Sequence, residues 1–273
     1  MPRPGLPKLI ATDLDGTLVR GDDTVSAYTH QVLDRVRNAG IPVVGATGRG
    51  PRLAELTRND IRAADFLVMA GGGRVVDQTD PAGPVVLRDE RLAGPVLAAL
   101  LKAIEDAVGP LTVMVEASDV HEAPLWGDFD PTWPYPERFE ARTRSECVES
   151  DVIKAFARTA DHDVDALLAA ARLVVPADQA ALTQAGLGFI EISPPGVDKA
   201  TGLGVVADCL GVDPAEVLVF GDMPNDLPMF EWAGWARVAV ANAHPSVLSA
   251  ADEITLRNDD DGVAVYLDRL LSR

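Results

Sequence analysis

Two aspartates one residue apart, Asp13 and Asp15, end an apolar and β-branched run in "KLIATDLDGTLV", Lys8 to Val19. Followed by a turn at Gly16 and Thr17, such carboxylates can converge on one hard cation through oxygen ligands. Taken singly, the same letters also describe a strand end capped by an Asx-turn. Three further stretches repeat the theme. "GATGR", Gly45 to Arg49, offers the Thr47 hydroxyl and, at Gly48 and its neighbours, backbone N–H groups suited to an anion, or else an ordinary turn. "GVDKATGL", Gly196 to Leu203, opens a helix with Lys199, where helix N-terminus and ammonium together favour phosphate. A cation at that end opposes the helix dipole, so the alternative is a solvated surface lysine. "VLVFGDMPNDLPMF", Val217 to Phe230, ends a strongly apolar run in Gly221, Asp222, Asn225 and Asp226.

Alternating strands and helices must position these residues. Lys8–Thr12 reads as a buried strand, Ser26–Ala39 as a helix capped by Ser26 and stopped at Gly40, and Ile41–Ala46 as a second strand. A helix near Arg52–Arg58 and a strand at Phe66–Ala70 follow. The last third repeats the pattern: helix Lys199–Leu210, strand Val217–Phe220, helix Asn225–Trp232, strand Arg237–Val240, then helices at Pro245–Ala250 and Gly262–Leu271. This is an α/β chain with a parallel, Rossmann-like sheet, and Asp13 and Asp15 lie just past the carboxyl end of its first strand, where open sheets bind ligands. The middle differs. It suggests a helix at Pro95–Val108, a strand at Leu111–Glu116 and a proline- and aromatic-rich loop. A strand near Val152–Phe156, a helix near Val164–Ala171 and strands near Leu173–Val175 and Phe189–Ile192 complete it. The sequence therefore predicts a core from residues 1–77 and 189–273 and an inserted α+β module at 78–188.

A net charge of −18 over 273 residues, with no basic cluster, excludes a nucleic-acid surface and requires any phosphate site to have a local cation or a placed lysine. Cys147 and Cys209 suggest neither a disulfide framework nor a thiolate metal site. His30, His121, His162 and His244 show no metal spacing. No apolar run approaches the roughly 18–20 residues that span a bilayer, and the start carries no signal-peptide core, so the expectation is a cytoplasmic protein without a membrane partner.

In order and spacing, "DLDGT", "TGR", the helix-start lysine and "GDMPND" resemble the motifs of the haloacid dehalogenase (HAD) superfamily. More narrowly they resemble its Cof-type phosphatase branch, in which a cap domain lies between the second and third motifs. "GFIEISPPGVDKATGL" is similar to that branch's return from cap to core. The resemblance implies that Asp13 is the nucleophile, forming an aspartyl-phosphate, and that Asp15 protonates the leaving oxygen and then activates water. It implies Mg²⁺ held by the Asp13 carboxylate, the Asp15 carbonyl and Asp222. Thr47, Gly48, Lys199 and Asn225 would meet the phosphoryl oxygens, and Asp226 would support the metal or hold Lys199. Asp15 also separates the chain from the superfamily's ion pumps, which carry threonine there. One departure stands out: in "MAGGGRVVD" the chain has Gly71 where the branch usually has asparagine.

The implied activity is magnesium-dependent hydrolysis of a small phosphorylated metabolite, a sugar phosphate by preference. A phosphomutase using the same intermediate and a non-catalytic phosphometabolite sensor are the alternatives. In the cap, His121, Trp126, Trp133 and Tyr135 are the candidate substrate contacts, since aromatics can stack on a sugar or base. Rigidifying a long loop would use the same residues.

Overall fold

The computed structural model describes residues 5–133 and 138–272. The chain divides into two compact units, one of Met1–Arg49, Ala54–Arg88 and Asp198–Arg273, the other of Gly50–Leu53 and Asp89–Val197.

The first unit is built on an eight-stranded sheet. Leu9–Thr12 lies at its centre, flanked by Val217–Gly221 on one side and Val43–Ala46 on the other, all parallel. Ala236–Ala239 and Glu253–Ile254 extend the first side and Phe66–Met69 the second, again in parallel. Arg74–Asp77 then turns back antiparallel, and Val85–Asp89 forms the edge. Every residue of Leu9–Thr12, Val43–Ala46, Phe66–Met69 and Val217–Gly221 is buried. Because successive side chains point to opposite faces, continuous burial means that both faces are covered. The helix Ala27–Asn38 packs on Gly262–Leu271, and Lys199–Leu210 packs on Leu227–Trp232. Each fully buried aliphatic residue in this core, such as Leu9, Ile10 or Val219, contributes roughly 1.5–3 kcal/mol.

Local chemistry sets the helix that carries Lys199. The Asp198 side chain accepts from the Thr201 N–H at 2.7 Å, while the Thr201 hydroxyl accepts from the Asp198 N–H at 3.1 Å. This reciprocal cap fixes Lys199 as the first helical residue. The helix start lies close against the turn after Phe66–Met69: a Cβ on Gly72, whose φ is +114°, would stand 1.9 Å from the Asp198 carbonyl oxygen. Only glycine fits there.

The second unit has a six-stranded mixed sheet in the order Ala181–Gln184, Ile190–Ser193, Lys154–Arg158, Thr112–Glu116, Leu125–Gly127, Phe139–Ala141. All neighbours are antiparallel except the last pair. The helices Gly94–Val108 and Val164–Val174 share one apolar cluster with Val113, Val115, Ala155, Ala157, Ile190 and Ile192. Met114, Phe156 and Phe189 belong to a separate, aromatic cluster.

The sheets exchange about ten residues later than the sequence suggested at each crossing. Val85–Asp89 still belongs to the first sheet, and Ile190–Ser193, expected in the core, pairs with Lys154–Arg158 in the second. Nothing in composition marks the exchange, because these strands read alike whichever sheet they join. The strand expected near Leu173–Val175 is instead helical to Val174, continuing the turn that buries Leu167, Leu168 and Ala171. Short apolar runs do not separate helix from strand by pattern. Here Leu173 projects outward, 88% exposed.

Candidate active site

The first unit's sheet order creates the site. From Leu9–Thr12 the chain adds strands on one side through Val43–Ala46, and later on the other side through Val217–Gly221. Such a reversal leaves a crevice at the carboxyl ends of the two central strands. Asp13 and Asp222 are the residues that follow those two ends, and Thr47 follows the third.

Lys199, 1% exposed, joins the group from its helix start. Its Nζ donates to Asp13 Oδ1 and, at 2.6 Å, to Asp226 Oδ1. The lysine that opposes its own helix dipole is therefore no surface residue: two buried carboxylates compensate it. Asp226 Oδ2 accepts from the backbone N–H groups of Asp222 and Met223, at 2.9 and 3.0 Å. Asp226 thus folds the loop after Val217–Gly221 around itself while holding the ammonium. Asp222 Oδ1 accepts from the Thr17 hydroxyl at 2.8 Å.

Burial is the main cause that lifts the Asp13 carboxyl to about 7; Lys199 opposes it, and Asp226 and Asp15 add to it. Burial likewise lifts Asp222 to about 9, reinforced by Asp13 and Asp226. For Lys199, burial alone would favour the neutral amine, but Asp13 and Asp226 outweigh it and hold the proton more firmly than usual. Three buried carboxylates face one ammonium, so the raised values record burial first and the surplus of negative charge second.

This donor set fits a hard divalent cation. Carboxylate oxygens of Asp13, Asp222 and Asp226 lie within 4.8 Å of one another, and an all-oxygen group suits Mg²⁺ rather than a thiophilic metal. Asp226 already has both oxygens engaged, so Asp13 and Asp222 carry the spare capacity. Gly16, at φ +83°, keeps the space beside them open, since a Cβ there would stand 2.5 Å from Asp222 Oδ2.

Around this centre, the Thr47 hydroxyl oxygen accepts from the Arg49 N–H at 3.0 Å, which turns its own proton elsewhere. Gly48 is half-buried beside it. The Asn225 side-chain oxygen is buried without a hydrogen-bond partner. Asp15 does not point back to Asp13's lysine; its carboxylate meets the Arg49 guanidinium, with Nη2 to Oδ1 at 2.5 Å and Nε to Oδ2 at 2.9 Å. Gly71, at φ +64°, sends its N–H to the Thr47 carbonyl at 3.0 Å, and a Cβ on it would meet nothing within 4 Å.

In "GATGR" the hydroxyl and the glycines carry the signal from sequence, and Arg49 carries none. The same holds for Asn242, whose amide donates to the Gly16 carbonyl at 2.8 Å and whose Oδ1 accepts from the Asn258 N–H at 2.9 Å. That pair steadies the acidic turn from more than 200 residues away, a link no local pattern announces.

The cap candidates separate in the second unit. His121 is exposed in a turn beside Glu122. Trp126 is half-buried on Leu125–Gly127, with the Arg142 guanidinium 3.8 Å above its ring. Trp133 is only 9% exposed and packs edge-on against Phe156 and Phe189, with centroids at 4.9 and 5.3 Å. Its ring is a core element, which corrects the expectation of a stacking surface. Tyr135 lies outside the described residues. Lys154 and Glu191, buried and 3.1 Å apart on paired strands, form a polar feature that the sequence did not suggest.

Acids gathered at a topological switch point around a buried lysine, with a second mixed sheet inserted, make a site suited to a divalent cation and an anionic ligand. The chain belongs to the haloacid dehalogenase-like hydrolases, whose family model matches residues 10–267, and within them to the Cof-type phosphatases. It is 28% identical to 5-amino-6-(5-phospho-D-ribitylamino)uracil phosphatase YwtE of Bacillus subtilis, over 97% of this chain and 98% of that one. It is 30% identical to a phosphoglycolate phosphatase of Natronomonas pharaonis, over 95% and 96%. In fold it is similar to the subclass IIB sugar phosphatase BT4131, with a TM-score of 0.78 at 19% identity, over 96% and 98%. The chain is a HAD phosphatase, a phosphoric monoester hydrolase acting on small phosphorylated metabolites.

Proposed function

We propose that the chain is a magnesium-dependent phosphatase for a sugar or polyol phosphate, working through an aspartyl-phosphate on Asp13. The observation that carries this reading is the Asp13 carboxylate, buried against the Lys199 ammonium with Asp15 two residues on. Lys199 orients Asp13 and draws the phosphate of an incoming ester. An Asp13 oxygen attacks phosphorus as the ester P–O bond breaks, and the leaving oxygen takes its proton from Asp15. Asp15, now a carboxylate, accepts a proton from water; that water attacks the phosphorus, releasing phosphate and restoring Asp13. Thr47, the Gly48 N–H and the Asn225 side-chain NH₂ serve the phosphoryl oxygens. Asp13, the Asp15 carbonyl and Asp222 would hold Mg²⁺, which when bound neutralises charge developing on the phosphoryl group. The phosphorylated ribityl compound named for one relative supports the substrate class.

The test is phosphate release from 4-nitrophenyl phosphate and then a panel of sugar phosphates, with Mg²⁺ and with chelator, beside Asp13→Asn. The reading expects release only with Mg²⁺ and none from the variant. An active Asp13→Asn would overturn it.

A further inference from the structure

The Arg49 guanidinium is shared between two acids. Its Nε and Nη2 edge meets Asp15, at 2.9 and 2.5 Å, and its remaining Nη1 meets Asp60 Oδ2 at 2.5 Å. Asp60 ends the helix Ala54–Asp60. A carboxylate there faces the negative end of the helix dipole and is disfavoured on local grounds, so its place calls for a partner, which is Arg49. The Arg49 and Asp60 side chains are 10% and 13% exposed, whereas Asp15 remains 32% exposed and open to a ligand. The backbone of Arg49 is pinned as well: its N–H donates to Thr47 Oγ1 and its carbonyl accepts from the Ala70 N–H at 2.8 Å. With Nη1 held by Asp60, the fork can present only its other edge to Asp15. Asp15 Oδ1 accepts from Nη2 at 2.5 Å and from Nε at 3.1 Å, whereas Oδ2 accepts only from Nε, at 2.9 Å, and keeps the greater spare capacity.

We propose that Asp60 is a positioning residue for proton transfer: through Arg49 it fixes the Asp15 carboxyl so that one oxygen stays available to the leaving group. This rests on the proposed function, since it needs Asp15 to act as the acid. Asp60 touches neither substrate nor the reacting atoms in this scheme. Its loss lets the guanidinium rotate about Asp15 and spreads the acid over several orientations.

The chemistry supplies a readout that a merely structural role would not move. A phenolate with a nitro group leaves well without a proton, and an unsubstituted phenolate does not. Because kcat/KM covers the steps up to departure of the leaving group, misplacing the acid penalises phenyl phosphate more than 4-nitrophenyl phosphate. Removing a general acid outright costs roughly 10²–10⁴-fold, and misplacing it should cost less. With Asp60→Asn, which keeps the shape and removes the charge, the expected fall in kcat/KM is about tenfold for phenyl phosphate and under about threefold for the nitro ester. Asp60→Glu should recover part of the loss, and Asp60→Asn should add nothing in an Arg49→Ala background. An unchanged thermal midpoint in Asp60→Asn, or in Asp60→Glu where the amide folds poorly, separates positioning from fold. Equal loss on both esters, or no loss, overturns the inference while the phosphatase assignment stands. A wild-type protein inert on both esters with Mg²⁺ overturns the assignment and the inference together.

Discussion

Replacing Lys199 by methionine keeps the length of the side chain and removes the only ammonium facing Asp13 and Asp226 among the described residues. The lysine side chain is 0% exposed and the two acids are 7% and 0% exposed, so water does not take its place. Breaking a buried pair from one side costs about 3–5 kcal/mol, because the charge left behind is uncompensated. At about 2–4 °C per kcal/mol for a domain of this size, the thermal midpoint should fall by roughly 6–20 °C at pH 8 without metal. At pH 5 the loss should shrink. Asp13, pushed up by burial to about 7, is then mostly neutral in the parent, so mainly the pairing with Asp226 is lost, or about half the penalty. Thermal unfolding of both proteins at pH 5 and pH 8 with chelator measures this, and Mg²⁺ should narrow the gap at pH 8. A penalty below about 1 kcal/mol, or one equal at both pH values, would refute the electrostatic account of the site.

Two further outcomes follow from the same charges and from one glycine. Asp13 and Asp222 have folded-state values raised from 3.8 to about 7 and about 9, so the metal-free fold binds more protons than the unfolded chain between those limits. Stability from these groups is complete below the unfolded value and is lost as pH rises through the folded ones. Mg²⁺ competes with those protons, so its affinity by calorimetry should rise from pH 6 to pH 9; a flat or falling affinity would contradict the ligand assignment. Gly71→Asn should fold with a change in stability within about 1 kcal/mol, since asparagine tolerates left-handed backbone and a Cβ there meets nothing within 4 Å. The added amide should alter the ranking of sugar phosphates while leaving 4-nitrophenyl phosphate nearly unchanged. An unaltered ranking would show that Gly71 does not shape specificity.

How much of this is legible in the sequence depends on where each signal lives. Asp13, Thr47 and Asp222 sit one residue beyond strongly apolar strands, and that local grammar gave both the parallel sheet and its chemical edge. Lys199 was legible as a conflict, a cation at the wrong end of a helix, and the buried carboxylates resolve it. Arg49 was visible but mute, because its meaning comes from Asp60, brought near by the fold rather than by spacing. Asn242 and Asn258 were invisible for the same reason. In the cap, Trp133 carried a binding signature that packing on Phe156 and Phe189 reassigns, since an aromatic residue suits a core as well as a ligand. The sheet exchange near Val85–Asp89 and Ile190–Ser193 could not be read, because hydrogen-bond partners between strands leave no mark in one strand's letters.

The central claim is that phosphate passes through Asp13. Rapid acid quench of the Mg²⁺-loaded enzyme mixed with labelled 4-nitrophenyl phosphate, followed by borohydride reduction and peptide mass spectrometry, tests it most directly. A transient, hydroxylamine-labile phosphoprotein is expected, whose reduction converts Asp13 to homoserine and no other residue. Phosphate release at full rate with Asp13 unmodified throughout, or label on a different side chain, would contradict it.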